Sequence, residues 1–184
     1  VQKAKHHILD TLAAMVSGSL LKPGLLAKKY VRRQAGASEA QVAGSDIITS
    51  AINAAFANGI MAHADETDDS NERARTHPGC AIVPAALAIS EREGADGLSF
   101  LKGVVAGYDI GCRITKALGI EQLRLQHRSS HSIGNNFGAA TAAASVLRFK
   151  ETQIRHLLSY TAQQTSGVSY WVRDPEHVEK AFVF

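Results

Sequence analysis

Apolar residues recur at helical spacing along almost the whole chain of 184 residues. Near the start, Ile8, Leu12 and Val16 follow one another as on the buried stripe of an amphipathic helix. Later stretches repeat the pattern and predict seven helices, at about residues 1–16, 25–36, 47–62, 83–93, 99–114, 131–147 and 152–164. Only residues 38–43 resemble a strand, and residues 167–184 show no clear period. The sequence therefore predicts an all-α fold, a helical bundle.

Several residues at the ends of these segments are of the kinds that start and stop helices. Asp46 and Ser99 can cap the third and fifth helices with their side-chain oxygens. Pro84 is tolerated in a first helical turn, and Gly94 suits a helix C-terminus because glycine adopts positive φ without strain. The third helix is rich in small residues, so we expect neighbouring helices to approach it closely and to surround it.

The composition is that of a folded domain and excludes several functional classes. Hydrophobic residues make up 45% of the chain and charged residues 20%, which excludes a disordered protein. No apolar run reaches the roughly 18 residues of a membrane span, and two cysteines are too few for a disulfide framework and fit a cytoplasmic location. The net charge of +3 comes with one basic cluster and no interleaved aromatic residues, which argues against nucleic acid as a partner. That cluster is Lys28, Lys29, Arg32 and Arg33.

The length suits a single domain. The chain begins at Val1 inside a helical pattern and ends at Phe184 in an apolar run. We therefore expect residues 1–184 to form one partial helical domain of a longer protein.

A loop at residues 65–79 combines histidines with acidic residues. His63 precedes it, His77 lies near its end, and Arg73 and Arg75 lie among five acids. Carboxylates so close together repel one another and need cations, protons or guanidinium groups nearby. Two of them are adjacent, so one can cap a turn while the other points into a site. A functional site and an acidic surface loop neutralised by its own arginines both fit this pattern. The five acids are Asp65, Glu66, Asp68, Asp69 and Glu72.

Two further segments contain side chains suited to chemistry. His127 and His131 flank serines that can cap the sixth helix, and a helix start attracts anions such as a carboxylate. The alternative is a simple cap between two surface histidines. Lys180 leads into an apolar run, where burial would make it a proton donor or acceptor. Exposure beside Glu179 is the plainer interpretation.

Five motifs follow one another along the chain: Asn58-Gly59, His63, Asp68-Asp69, His77-Pro78 and Lys180. Their order resembles the MmgE/PrpD family, which includes 2-methylcitrate dehydratase, cis-aconitate decarboxylase and iminodisuccinate epimerase. The stretch 104–113 and the Ala-rich helix after Gly134 extend the resemblance over nearly the whole chain. It implies a helical domain that, in the family, faces an α+β lid domain absent from this chain.

The resemblance also implies an activity. Members act on small di- or tricarboxylates by taking a proton α to a carboxylate, usually as homodimers and without a metal or organic cofactor. The implied enzyme is a carbon–oxygen lyase (dehydratase) or a related decarboxylase or epimerase. The implied catalytic residues are Glu66, His77, His131 and Lys180, with His127 as the second choice for the position given to His131. The implied substrate-binding residues are Asp69, Ser70, His127 and Ser132.

Two other functions fit the same residues. The first is a metal-dependent hydrolase, since imidazole and carboxylate groups are common metal ligands. The second is a helical scaffold without catalytic activity. The ligands for the hydrolase would come from His63, Asp65, Asp68, Asp69, His77 and His131.

Overall fold

The structure is a computed structural model that describes residues 1–34, 36–176 and 178–183. Over these residues the chain forms nine α-helices, one 3-10 helix (Ser169–Arg173) and two short strands. The predicted all-α class is therefore confirmed, and no described helix is both long and apolar enough to cross a membrane. The elements are α1 (Gln2–Gly18), α2 (Lys22–Gln34), β1 (Ala40–Gln41), β2 (Ile48–Thr49), α3 (Ala51–His63), α4 (Gly79–Glu93), α5 (Gly97–Leu118), α6 (Ile120–Leu125), α7 (Ser130–Val146), α8 (Glu151–Gln164) and α9 (Val178–Val183).

The start of the third helix differs from the prediction. Residues 48 and 49 form β2, which pairs antiparallel with β1 so that Ala40 lies opposite Thr49. Helix α3 begins only after Ser50, whose hydroxyl accepts a backbone N–H of the first turn. Asp46 does not cap this helix, because its carboxylate pairs with the guanidinium of Arg32.

The fourth and fifth helices begin earlier than predicted, because capping groups outside the apolar pattern satisfy their first turns. A carboxylate oxygen of Asp69 accepts the N–H of Gly79 at 2.8 Å and supports the start of α4. Pro84 therefore lies inside α4 and not in its first turn. The side chain of Asp96 accepts the N–H of Ser99 at 2.7 Å, so Asp96 takes the capping role predicted for Ser99.

Other predicted helix ends agree with the structure. Gly94 ends α4 in the left-handed conformation with φ of 60°. Ser129 caps α7, where its hydroxyl accepts the N–H of Ser132 at 3.5 Å. The segments without a clear period contain α6, the 3-10 helix and α9, which are too short to produce a recognisable repeat.

The helices surround two clusters of buried apolar residues. Helix α3 packs against α1, α2 and α4, and α4 also packs against α5 and α7. The first cluster lies between α2, the strand pair and α3, and includes Val31, Val42, Ile60 and Met61. The second lies between α1, α4, α5 and α7, and includes Met15, Ile82, Val83 and Val104.

Helices α5 and α7 form the most extensive helix pair in the described chain. Their backbones meet at glycines, and a Cβ atom on Gly111 would lie 2.6 Å from the carbonyl oxygen of Gly134. A Cβ atom on Gly138 would lie 2.6 Å from Cδ1 of Ile82 on α4. Contact this close fixes the start of α7, and with it His131, relative to α4 and α5.

Candidate active site

The acidic loop connects the end of α3 to the start of α4 and lies against the first residue of α7. Within it, the N–H of Asn71 donates to the carbonyl oxygen of Thr76 at 2.8 Å, which closes a turn between these residues. The hydroxyl of Ser130 donates to the carbonyl oxygen of Arg75. This contact joins the turn to the helix that presents His131.

The adjacent side chains of Asp68 and Asp69 have different partners, as their sequence positions predict. One carboxylate oxygen of Asp69 accepts the N–H of Gly79, and the other accepts the hydroxyl of Tyr108 at 2.8 Å and lies 2.9 Å from Nδ1 of His7. Burial raises the pKa of Asp69, while hydrogen bonds from Tyr108 and Gly79 act in the opposite direction. Burial also raises the pKa of Tyr108, so its hydroxyl stays protonated. Asp69 thus ties the loop to α1, α4 and α5.

Asp68 lies between two histidines. Its side chain is fully buried, and its two oxygens lie 3.0 and 2.9 Å from Nδ1 of His63. Nδ1 of His77 lies 3.7 Å from the same carboxylate and 3.0 Å from the carbonyl oxygen of Asp69. Because a carbonyl oxygen only accepts hydrogen bonds, His77 carries a proton on Nδ1. In the neutral ring, Nε2 is then the basic atom.

Three imidazole rings follow one another, and we call His63, His77 and His131 the imidazole row. The centroids of His63 and His77 are 5.1 Å apart, and His77 stacks on His131 at 5.1 Å with 18° between the ring planes. Burial, reinforced by the neighbouring His77, His63 and Lys180, lowers the pKa of His131 to about 3. His131 is therefore neutral at neutral pH.

Lys180 reaches the imidazole row from α9. Its ammonium nitrogen lies 2.7 Å from a carboxylate oxygen of Glu66 and 5.5 Å from the ring centroid of Trp171. Trp171 meets His131 edge-on at 5.9 Å. The structure therefore brings together the four residues predicted to be catalytic, which come from the acidic loop (Glu66 and His77), α7 (His131) and α9 (Lys180).

The residues predicted to bind substrate are more widely spread. Asp69 faces α1 and α5, and Ser70 is exposed in the loop. Ser132 is buried in the first turn of α7. His127 is exposed on the wall of a cavity that His131 also lines. Binding roles for these four residues stay predictions.

Two neighbours of the site were not among the residues predicted to be catalytic or to bind substrate. Trp171 reads as an ordinary packing residue, because the segment around it has no helical period that would relate it to Lys180. His63 was identified only as a motif residue of the family resemblance and as a possible metal ligand. The sequence signal for a buried polar contact is the position of His63 in the last turn of a helix of small residues. Such a helix offers the imidazole no hydrogen-bond partner, so the partner must come from elsewhere in the chain.

Of the six candidate metal ligands, three lie close enough together among the described residues to share one cation. The potential ligand atoms of His63, Asp68 and His77 lie within 4.8 Å of one another. Asp65 turns away to accept hydrogen bonds from the backbone N–H and hydroxyl of Thr67. In the three-residue group, both Nδ1 atoms lie at hydrogen-bond distance from protein oxygens. A cation bound through Nδ1 would displace these bonds, whereas a cation bound through Nε2 would leave them intact.

The fold and the candidate site define an all-α domain in which two stacked histidines lie near a lysine. The sequence matches the MmgE/PrpD N-terminal domain over residues 1–183, and the chain belongs to this family. Human cis-aconitate decarboxylase is 27% identical over 164 residues, which are 86% of this chain and 34% of that protein. The cis-aconitate decarboxylase-like protein oryM of Aspergillus oryzae (strain ATCC 42149 / RIB 40) is 31% identical over 153 residues, 79% of this chain and 31% of that protein. The chain thus spans about a third of the length of these relatives.

Proposed function

We propose that the protein is a cofactor-independent lyase or epimerase that moves a proton α to a carboxylate of a small di- or tricarboxylate. The observation that most supports this is the convergence of Glu66, His77, His131 and Lys180 from three segments, the acidic loop, α7 and α9. The similarity to cis-aconitate decarboxylase favours decarboxylation over dehydration and epimerisation. These reactions share proton transfer at the α carbon and differ in the group that leaves.

His77 is the base in this proposal. Its Nδ1 is held by the carbonyl oxygen of Asp69, so Nε2 of the neutral ring is available to take a proton. The buried carboxylate of Asp68 lies 3.7 Å from Nδ1 and stabilises the imidazolium that forms. Asp68 also lies at hydrogen-bond distance from His63, which holds the carboxylate in place.

His131 plays a different part because it is neutral. A neutral imidazole is a hydrogen-bond donor through one nitrogen, and it can donate to a carboxylate whose negative charge grows during proton abstraction. An anionic substrate beside the ring raises the pKa of His131 from its value of about 3 in the free protein. His131 can then also deliver a proton once the substrate is bound.

Lys180 supplies the positive charge that the reaction needs. Removal of a proton α to a carboxylate creates an aci-carboxylate with an additional negative charge, which an ammonium group stabilises. In the free protein this ammonium pairs with Glu66 at 2.7 Å. A substrate carboxylate that reaches Lys180 therefore competes with Glu66 for the same cation.

Solvent-deuterium exchange followed by NMR tests the proposal. The full-length protein is incubated in D2O with EDTA and, in turn, citrate, 2-methylcitrate, cis-aconitate, tartrate and iminodisuccinate. We expect deuterium at one carbon α to a carboxylate, and a rate lowered by about 10²–10⁴-fold in His77→Ala and Lys180→Ala variants. The matched controls are His156→Ala and Lys102→Ala, which alter exposed residues of α8 and α5.

The same experiment separates this proposal from the metal-dependent hydrolase. Exchange or turnover that disappears with EDTA and returns with a divalent cation would contradict the proposal and favour a cation at His63, Asp68 and His77. The homodimer implied by the family resemblance and the cytoplasmic location expected from the cysteines both stay predictions. Size-exclusion chromatography with light scattering tests the first of these.

A further inference from the structure

A cavity of about 410 Å³ adjoins the imidazole row. His131 and Trp171 form its wall on the side of the row, and Ser129 and Ser130 at the start of α7 also line it. Because Trp171 also contacts the ammonium of Lys180, the cavity and the proposed reaction centre share one wall. A ligand that fills the cavity therefore contacts His131, and through His131 and Trp171 it adjoins His77 and Lys180, which do not line the cavity themselves.

The cavity is positively charged. Three arginines line it together with one acid, Glu121, so that three guanidinium groups and one carboxylate leave two positive charges. The acid already pairs with Arg124 at 2.9 Å, and the guanidinium of Arg128 donates to the carbonyl oxygen of Ser166. Arg75 makes no ion pair with any described acid. It is the cation best placed to bind an incoming anion.

The backbone holds Arg75 at the cavity in an uncommon conformation. Its φ is 49°, a region that disfavours any residue with a Cβ atom. The described chain has four non-glycine residues with positive φ; two of them, Arg75 and His127, line this cavity, and a third is Glu66, the partner of Lys180. Strained residues of this kind persist where the surrounding structure enforces them, and they cluster at ligand sites.

We propose that this cavity is a carboxylate subsite, in which Arg75 binds a substrate carboxylate that takes no part in the proton transfer. The inference rests on the proposed function and adds a preference for tricarboxylates over dicarboxylates. A guanidinium group binds a carboxylate through two parallel N–H···O hydrogen bonds in one plane. Inorganic phosphate offers similar acceptor oxygens, but the wall of His131 and Trp171 that the cavity shares with the proposed reaction centre favours a carboxylate of the molecule that reacts there.

Fluorescence of Trp171, the one tryptophan of the 184 residues, reports binding without turnover. The full-length protein is titrated with tricarballylate, an unreactive tricarboxylate, and separately with glutarate and inorganic phosphate. A Trp171→Phe variant identifies the part of the signal that comes from this residue. We expect tricarballylate to bind more tightly than glutarate or phosphate.

Arg75→Gln is the test variant, and Arg73→Gln is its matched control in the same turn, exposed but outside the cavity lining. We expect Arg75→Gln to weaken tricarballylate binding by about 10- to 100-fold, as for the loss of a charged hydrogen bond, and to leave glutarate binding within about threefold. Arg75→Gly relieves the strain at φ of 49° and so controls for misfolding. We expect this variant to be at least as stable as the wild type and to show the same binding loss.

Two outcomes would overturn the subsite: equal effects of Arg75→Gln and Arg73→Gln, or equal binding of tricarballylate and glutarate by the wild type. Failure of the proposed function looks different. If no substrate exchanges deuterium but Arg75→Gln selectively loses tricarballylate, the subsite stands without the reaction. If exchange occurs but Arg75→Gln leaves KM for the tricarboxylate unchanged, the reaction stands without the subsite.

Discussion

The neutral state of His131 predicts a specific dependence of stability on pH. Its pKa is about 3 in the folded protein, whereas that of an unfolded chain is about 6.5. Above pH 6.5 the residue is neutral in both states, so its full contribution to stability is present. As the pH falls towards 3, the unfolded chain binds a proton that the folded protein does not, and stability is lost. The loss approaches about 1.4 kcal/mol per pH unit below pH 6.5, and it amounts to about 2 kcal/mol between pH 7.5 and 5.

Replacement of His131 by glutamine removes this contribution to the pH dependence of the free energy of unfolding. We would measure urea unfolding of the wild type and of His131→Gln at several values between about pH 7.5 and 5, and compare how the free energy of unfolding changes with pH. The wild type should lose about 2 kcal/mol more than the variant over this range. His156→Gln, at an exposed position of α8, should follow the wild type. Parallel curves for wild type and His131→Gln would refute a neutral His131 and with it the role assigned to that residue.

Further predictions concern the pair at the lysine, the packing of α5 on α7, and the anchoring of the loop. Glu66→Gln should lower KM in steady-state kinetics, because the substrate no longer competes with a carboxylate for the ammonium group of Lys180. A fall in kcat of about 10²-fold or more would contradict this and make Glu66 a proton carrier. Gly111→Ala should destabilise the protein by about 1–3 kcal/mol in urea unfolding, since its Cβ atom would lie 2.6 Å from a carbonyl oxygen of α7. Gly97→Ala, whose Cβ atom would meet nothing within 4 Å, is the control and should be neutral or stabilising. Tyr108→Phe should cost about 1.5–3 kcal/mol, because the buried carboxylate of Asp69 loses a hydroxyl donor, and an unchanged urea midpoint would contradict that anchoring role.

The helices that sequence reasoning located are those long enough to repeat an apolar period. Gly94 and Ser129 mark their helix ends through their own chemistry, so both were predictable from the sequence. The start of α4 was not, because its capping group is Asp69, ten residues earlier in the chain. The two-residue strand β2 was read as helix since two residues show no period of either kind.

For the site, the sequence order of motifs identified which residues converge but not how they are arranged. Adjacent carboxylates on regular backbone point apart, and this predicted the separate directions of Asp68 and Asp69. The stacking of His77 on His131 depends on how α4 and α7 pack, which local patterns do not encode. The same holds for Trp171, whose place beside Lys180 follows from tertiary contact alone.

The turn between Asn71 and Thr76 is closed by backbone hydrogen bonds at its own two ends. Its exposed side chains, that of Arg75 among them, can therefore be exchanged without moving α3 or α4, whereas Ala74 and Thr76 within the turn are buried and stay fixed. The groups proposed to transfer the proton and the side chain proposed to choose the substrate thus lie at positions that can change independently. Within such an architecture, new substrate preferences can arise by replacing the exposed side chains of one short turn while the reaction centre is kept, and exchanging these side chains between relatives becomes a practical route to altered specificity.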